Sequence, residues 1–277
     1  MNALTNFRIE KPWLHLPATQ GVIDRRILVN FRVDPTVLAR VLPAPFRPKL
    51  VGGFGLAGIC LIRLRALRPA GVPAFLGLDS ENAAHRIAVE WDQEGARREG
   101  VFIPRRNTDS KLNEWAGGRL FPGLHHSADF RVWESPNRFK VEMRSRDGRT
   151  FVRVAARVAG VLPPNSVFRS IGEASAFFQA GSLGWSARPR PSEFDGLELR
   201  CADWRIEPLH VERVESSFFA DRELFPAGSA EFDSAFLMRG LRHAWHARGK
   251  LRLEPTPAEP FSQSSPPTPT TSNLASP

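Results

Sequence analysis

The sequence predicts a mainly β fold, a β-rich α+β domain built as a barrel or a sandwich with a few short helices. Apolar and polar residues alternate with period two over residues 26–33, 86–91, 128–133, 138–143 and 150–158. Turn-forming residues at 135–137 and 146–148 separate the last three stretches, which predicts an antiparallel meander. The helical stretches are too few and too short to alternate with these strands, so a doubly wound sheet is not expected.

Three short helices are expected from their capping residues. Asp34, followed by a proline, begins a helix over 36–42, because a side-chain acceptor and a proline at the first helical position favour a helix start. The other two helices are expected over 108–115 and 170–178, and Gly181 ends the last one.

The composition is that of a globular domain followed by a tail. The chain has 277 residues, of which 42% are hydrophobic, enough for a core of its own. We expect one domain over residues 1–253 and a disordered tail over 254–277, because this Pro-, Ser- and Thr-rich stretch holds too little apolar surface to offset ordering. Cys60 and Cys201 each lack a second Cys or a His at metal-site spacing. They exclude a zinc ribbon and fit a reducing, cytoplasmic location.

The basic charge does not by itself indicate a nucleic-acid partner. The net charge is +9, and the arginines are spread along the whole chain, often alternating with apolar residues as over 62–65. Such arginines cover the polar face of a half-buried strand, so we expect a solvated basic surface and no nucleic-acid binding. Charged residues interrupt the first 16 residues, and the longest uncharged run, 50–62, is shorter than the roughly 20 residues of a spanning helix. No signal peptide and no membrane partner are expected.

A glycine motif at 53–58 has the spacing of a dinucleotide-binding loop, with Asp79 about 20 residues beyond it. The residues that follow it continue as a strand, whereas such a loop needs a helix whose N-terminus faces the phosphate. The glycines are therefore interpreted as part of a curved strand, and no nucleotide cofactor is expected.

Two pairs of histidines were considered as metal ligands. His125 and His126 are adjacent, so on a strand they point to opposite faces and do not readily bind one metal. His243 and His246 lack a carboxylate or Cys companion at metal spacing, and no metal is expected. One of His125 and His126 facing a barrel interior would serve as an acid or base near neutral pH, although a structural histidine fits equally well.

Several stretches resemble the acetoacetate decarboxylase superfamily. Residues 24–46 are similar to its first strand and short helix, which end at a proline-rich stop. Further similarity, to the YqjF-like branch of the superfamily, is carried by residues 81–89, 100–103, 118–126, 177–186 and 232–245. The resemblance covers roughly residues 20–247 and lies in the order of the motifs rather than in any single one.

The resemblance implies one large antiparallel, cone-like β-barrel with a small-molecule site inside. The arginine of the family's site falls on Arg25 or Arg26, its glutamate on Glu81, and its Schiff-base lysine on His126. An imidazole cannot condense with a ketone to give an iminium, so decarboxylation through a Schiff base is not expected.

Two functions stay open. The protein either binds a small carboxylated or carbonyl compound through Arg25, Arg26, Arg86 and His125, or is a lyase or hydratase that uses Glu81 and His126 as an acid–base pair. Glu81 and Arg86 are five residues apart, which places them on opposite faces of a regular strand. The resemblance assigns Glu81 to the interior. The expected partner is a small-molecule ligand, and homo-oligomerisation is left open.

Overall fold

A computed structural model describes residues 7–10, 18–119, 121–190 and 192–253. The expected tail at 254–277 lies outside the described residues. The strands are β1 (Phe7–Glu10), β2 (Thr19–Val33), β3 (Arg47–Pro48), β4 (Leu50–Val51), β5 (Phe54–Pro69), β6 (Leu78–Gln93), β7 (Ala96–Thr108), β8 (His125–Ser135), β9 (Arg138–Ser145), β10 (Phe151–Val158), β11 (Leu183–Ala187), β12 (Glu193–Cys201), β13 (Glu207–Ser216) and β14 (Ala230–Leu253). The helices are α1 (Pro35–Val41), α2 (Lys111–Ala116), α3 (Ile171–Ala180) and α4 (Ser217–Ala220).

The strand pairings form a closed circuit. From β14 the pairing runs through β2, β5, β6, β7, β11 and β12 and returns to β14. A second circuit leaves β7 through β8, β9, β10 and β13 and also returns to β14. Because β7 pairs in parallel with β8 and β11, the sheet is mixed rather than purely antiparallel. The segment with α2 joins β7 to β8, which is the kind of crossover that a parallel pair needs.

Four neighbouring strands, β14, β2, β5 and β6, form a wall whose central part is buried on both faces. On one face, residues such as Ile27, Ile59 and Ile87 pack against the β8–β10 meander in the core cluster. On the other face, residues such as Leu28 and Leu56 pack against α3 in a second cluster. This cluster also borders a cavity and is called the cavity-side cluster. Since side chains alternate along a strand, each step of one residue along this wall moves a side chain from one cluster to the other.

The predicted mainly β fold is confirmed. All five predicted strands are present, and the turns at 135–137 and 146–148 join β8, β9 and β10 as an antiparallel meander. The glycine motif leads into β5, which continues as a strand to Pro69. The second helix begins later than predicted, because Thr108 still belongs to β7 and Ser110 is the N-cap. No helix in the described part of the chain is long and apolar enough to cross a membrane.

The N-cap of α3 gives a test of how firmly this helix is tied to the wall. Ser170 Oγ accepts a hydrogen bond from the backbone N–H of Glu173 at 3.1 Å, and α3 buries Ala174 and Phe178 in the cavity-side cluster. Ser170→Ala is expected to lower the free energy of unfolding by about 1 kcal/mol, since it removes one capping bond. Urea unfolding measures this, with Ser170→Asp as the variant that keeps an acceptor. A Ser170→Ala protein as stable as wild type would contradict the assignment.

Candidate functional site

A cavity of about 280 Å³ lies on the face of the wall opposite to the β8–β10 meander. Residues of the first strand circuit, α2 and α3 line it. Most of its surface is apolar and comes from strands and helices together. Its apolar lining includes Ile62, Ile103, Phe121, Phe178, Leu199 and Trp245. Such a concave, mostly apolar site with a few polar groups is typical of small-molecule binding sites.

Four arginines line this cavity. Arg68 of β5 donates to the backbone oxygens of Ala66 and Val72, and the other three lie on β2, β6 and β7. Arg26 comes from β2, Arg86 from β6 and Arg106 from β7. Their hydrogen bonds go to uncharged atoms: the sulfurs of Cys60 and Met238, the amide oxygen of Asn30 and the hydroxyl of Ser186. Among the described residues that line the cavity, none is an aspartate or a glutamate. The cavity therefore carries positive charge that its own lining does not neutralise.

Arg86 is the most deeply buried of the three, with 4% of its surface exposed. One terminal nitrogen donates to the side-chain oxygen of Asn30, and the guanidinium carbon lies 4.9 Å from the ring centre of Phe178. Its Nε has no hydrogen-bond partner. Burial lowers the pKa of Arg86 to about 10, which still leaves it charged at neutral pH. A buried, charged donor without an acceptor is costly unless a ligand supplies one.

Arg106 and His125 lie at the end of the cavity formed by β7 and β8. Arg106 Nε donates to Ser186 Oγ at 2.8 Å, and burial lowers the pKa of Arg106 to about 10. His125 Nδ1 lies 3.0 Å from the carbonyl oxygen of Gly123, so this nitrogen carries the proton and Nε2 is the acceptor. Burial, and secondarily the charge of Arg106, lower the pKa of His125 to about 3. His125 is therefore neutral at physiological pH.

Two further donors lie in the lining of the cavity. The side-chain nitrogens of Asn107 and Trp204 are buried without hydrogen-bond partners, and both residues line the cavity. Asp195 is the carboxylate whose charge acts on Arg106. It does not line the cavity, and it accepts hydrogen bonds from Arg188 at 2.7 and 2.8 Å. The site thus presents donors and positive charge, which is the arrangement that binds an anion.

Residues 22–240 match the sequence profile of the DUF2071 family, whose description reads "Uncharacterized conserved protein". The chain belongs to this family. No curated protein sequence matches it. The match covers most of the described chain, including every strand that lines the cavity except the first residues of β2 and the second half of β14. The family description assigns no activity.

Solved structures with the same fold include acetoacetate decarboxylases and a related biosynthetic enzyme. An acetoacetate decarboxylase-like enzyme from Sphingomonas wittichii RW1 has 17% identity and a TM-score of 0.55, over 86% of this chain and 93% of that one. An acetoacetate decarboxylase from Legionella pneumophila has 14% identity and a TM-score of 0.53, over 87% and 91%. The enduracididine biosynthesis enzyme MppR, complexed with pyruvate, has 13% identity and a TM-score of 0.53, over 88% and 93%. The DUF2071 chain therefore has the fold of the acetoacetate decarboxylase-like superfamily, as its sequence motifs predicted.

The structure reverses the expected faces of Glu81 and Arg86. They do lie on opposite faces of β6, but Arg86 faces the cavity while Glu81 faces the β8–β10 meander. Both oxygens of Glu81 are taken by arginines: Oε1 accepts from Arg63 at 2.6 Å, and Oε2 pairs with Arg25. Glu134 of β8 binds the same two arginines. Paired strands hold Arg25, Arg63 and Glu81 side by side, so this ion-pair cluster fixes the face of Glu81.

The same alternation separates the two candidate arginines and the two histidines. Arg26 lines the cavity, whereas Arg25 is buried in the ion-pair cluster. His125 lines the cavity, whereas His126 lines a different pocket beside Arg105 and is not among the cavity residues. Burial and the charge of Arg105 lower the pKa of His126. The expected acid–base residues Glu81 and His126 are thus not brought together in the cavity.

Sequence reasoning missed Arg106, Asn107 and Cys60. The polar run 105–107, directly after the apolar residues 101–104, was a usable signal for the first two. Cys60 lies inside the uncharged run 50–62, where nothing distinguishes its face from that of Ile59 or Leu61. Only the fold brings these residues beside Arg26 and Arg86.

Glu81→Gln is expected to destabilise the protein and to leave the contacts inside the cavity unchanged, because Glu81 does not line it. Removing one partner of a buried ion pair leaves Arg25 and Arg63 undercompensated, which costs about 3 kcal/mol in free energy of unfolding. Denaturant unfolding measures it. Glu231→Gln, which breaks a surface pair with Arg32 where Glu231 is 56% exposed, is the matched control and should cost less than about 1 kcal/mol. Equal losses in the two variants would show that the cluster is not a buried network.

No lysine lines the cavity among its described residues, but one lies next to it. Lys49 lines a smaller pocket of about 30 Å³ that shares Arg26, Arg86 and Phe178 with the cavity. Its Nζ is 2.6 Å from Glu99 and 4.3 Å from the ring centre of Phe177. Lys49 is thus paired with a carboxylate outside the cavity, whereas a Schiff base requires an amine that reaches the substrate.

Treatment with acetoacetate and borohydride is expected to leave the mass of the protein unchanged, because no lysine is among the described residues that line the cavity. Intact-protein mass spectrometry measures this, and carbon dioxide release should stay at the background rate. Lys49→Arg is the matched variant for any signal that does appear. A reduced adduct that maps to Lys49, or to any other lysine, would contradict the expectation and restore the decarboxylase mechanism.

Proposed function

We propose that this DUF2071 protein binds a small carboxylate in its cavity, with the carboxylate on the arginines and the apolar body of the ligand against the aromatic lining. The observation that carries this proposal is Arg86, which is buried, charged and without a carboxylate partner in the cavity. Its unpartnered Nε needs an acceptor. A ligand carboxylate supplies both the missing acceptor and the missing negative charge.

The chemistry of the guanidinium group favours a carboxylate over a neutral carbonyl compound. Arginine presents donors in a planar fork that matches two carboxylate oxygens, and such pairs are stronger than neutral hydrogen bonds. A neutral carbonyl would fill one acceptor position but leave the charges of Arg26, Arg86 and Arg106 uncompensated. The apolar lining in turn favours a ligand with a hydrocarbon or aromatic body over a bare inorganic anion.

The fold relatives support a small 2-oxo acid as one member of this class. MppR was solved with pyruvate and with a condensation product of pyruvate and imidazole 4-carboxaldehyde. This support is an analogy at the level of fold, since the identity is 13 to 14%. It agrees with the charge of the cavity and does not depend on a lysine.

Binding is favoured over the lyase or hydratase alternative. Neither Glu81 nor His126 is among the residues that line the cavity. His125 does line it, but a pKa of about 3 makes its imidazole a weak base at neutral pH. In the proposed site His125 Nε2 carries no proton and therefore makes no hydrogen bond to the carboxylate. Carboxylate affinity is accordingly expected to be flat between pH 5.5 and 8, since His125 stays neutral throughout.

Titration calorimetry with pyruvate and phenylpyruvate tests the proposal. Arg86→Gln is expected to weaken binding by about tenfold to a hundredfold, the range for losing a hydrogen bond to a charged group. The melting temperature of the ligand-free variant should not fall, because the change removes a buried charge that has no ionic partner. Arg131→Gln, at an exposed position of β8, is the control and should bind like wild type. Affinity unchanged in both Arg86→Gln and Arg26→Gln, or equal affinity for pyruvamide, would contradict the proposal.

A further inference from the structure

Cys60 lies at the centre of the arginine group. It belongs to β5, is a free thiol with 7% of its surface exposed, and lines the cavity. On β5 it alternates with Ile59 and Leu61, which face the core cluster, so its side chain is on the cavity side of the wall. Its neighbour on β6 is Ala84, whose small side chain leaves the sulfur accessible from the cavity.

Three positive charges surround this sulfur. Arg26 Nε donates a hydrogen bond to Cys60 Sγ at 3.3 Å. Cys60 pairs with Ala84, which pairs in turn with Arg106, and Arg86 is two residues along β6 from Ala84. All three arginines line the same cavity as Cys60. The sulfur of a cysteine is a nucleophile, and here it lies among the donors that would hold an anionic ligand.

A second observation points to a ligand at the same place. Arg86, 4% exposed, and Asn107, 1% exposed, each have a buried nitrogen without a partner, and both residues line the cavity that Cys60 lines. A carboxylate that takes these donors would bring its adjacent carbon into the space next to the sulfur, since Arg26 and Arg86 flank Cys60. The thiol and the anion site therefore face one ligand.

We propose that Cys60 is a nucleophile that adds reversibly to the carbon next to the carboxylate of an electrophilic carboxylate, with 2-oxo acids as the class. This inference rests on the proposed carboxylate binding. In the addition, a carbon–sulfur bond forms at C2 and the π bond of the carbonyl breaks. The carbonyl oxygen takes the proton given up by the thiol. The product is a hemithioketal, and no oxidant, reductant or leaving group is required.

Iodoacetate and iodoacetamide give a sharp test, because iodoacetate also carries its electrophilic carbon next to a carboxylate and iodoacetamide is its neutral counterpart. In each case the thiolate displaces iodide. Peptide mass spectrometry of the native protein gives the alkylation rate of each cysteine with each reagent. The iodoacetate-to-iodoacetamide rate ratio is expected to be at least tenfold higher at Cys60 than at Cys201.

Cys201 is the internal control. It belongs to β12, is not among the cavity residues, and burial raises the pKa of its thiol. Arg26→Gln and Arg86→Gln should each lower the ratio at Cys60 and leave the ratio at Cys201 unchanged, and two variants are used in case one is poorly folded. Melting curves verify folding. Arg131→Gln should change neither ratio.

Carbon-13 NMR with pyruvate labelled at C2 tests the covalent step itself. A new signal from a tetrahedral carbon bound to sulfur is expected with wild type and should be absent with Cys60→Ser. Pyruvate should also slow the alkylation of Cys60 but not of Cys201.

The outcomes separate this inference from the proposed function. If calorimetry detects carboxylate binding but Cys60 shows no preference for iodoacetate, or reacts with neither reagent until the protein is denatured, the inference is overturned and the binding function stands. Binding without the new carbon signal overturns the covalent step in the same way. If calorimetry detects no carboxylate binding and the ratio at Cys60 equals that at Cys201, both are overturned.

Discussion

Alternation of side chains along a wall that is buried on both faces determines most of this molecule. The four strands β14, β2, β5 and β6 have the meander core on one side and the cavity on the other. On an ordinary amphipathic strand one face meets solvent, and a charged residue finds water. In the central part of this wall neither face does, so a charged residue there must either find a partner in the protein or take one from a ligand. Arg25 and Arg26 are consecutive in sequence and differ in this respect. Arg25 has a carboxylate partner in the protein, whereas Arg26 faces the cavity, where a ligand would be its partner.

The two faces handle their charge in opposite ways. On the meander side, Arg25 and Arg63 share Glu81 and Glu134, so charges of both signs are in contact. On the cavity side, Arg26, Arg86 and Arg106 bind uncharged oxygen and sulfur atoms. Burying unpaired positive charge lowers stability, and a fold retains such groups where they serve binding or catalysis. The large apolar clusters on both faces provide the stability that offsets this cost.

The sequence predicted the alternation of side chains along the strands but not which face of each strand lies toward the cavity. Strands, the meander, the opposition of His125 and His126, and that of Glu81 and Arg86 all follow from period two and turn residues. Which member of each pair faces the cavity does not, because residues on both faces of the wall are apolar and the usual contrast between core and solvent is missing. Convergence of Cys60, Arg86 and Arg106 from three strands depends on pairings such as Cys60 with Ala84 and Ala84 with Arg106, which no local pattern encodes.

The charge of the cavity bears on why a nucleophile other than lysine suits it. An amine must be neutral to attack a carbonyl, whereas a thiol must be anionic, and nearby positive charge promotes loss of a proton from either. The cavity has Arg26, Arg86 and Arg106 in its lining and no lysine among its described residues. Lys49, in the neighbouring pocket, is paired with Glu99. Cys60 has no carboxylate among its contacts and receives a hydrogen bond from Arg26. Under the proposal, the nucleophile beside the arginines of this cavity is a thiol on β5.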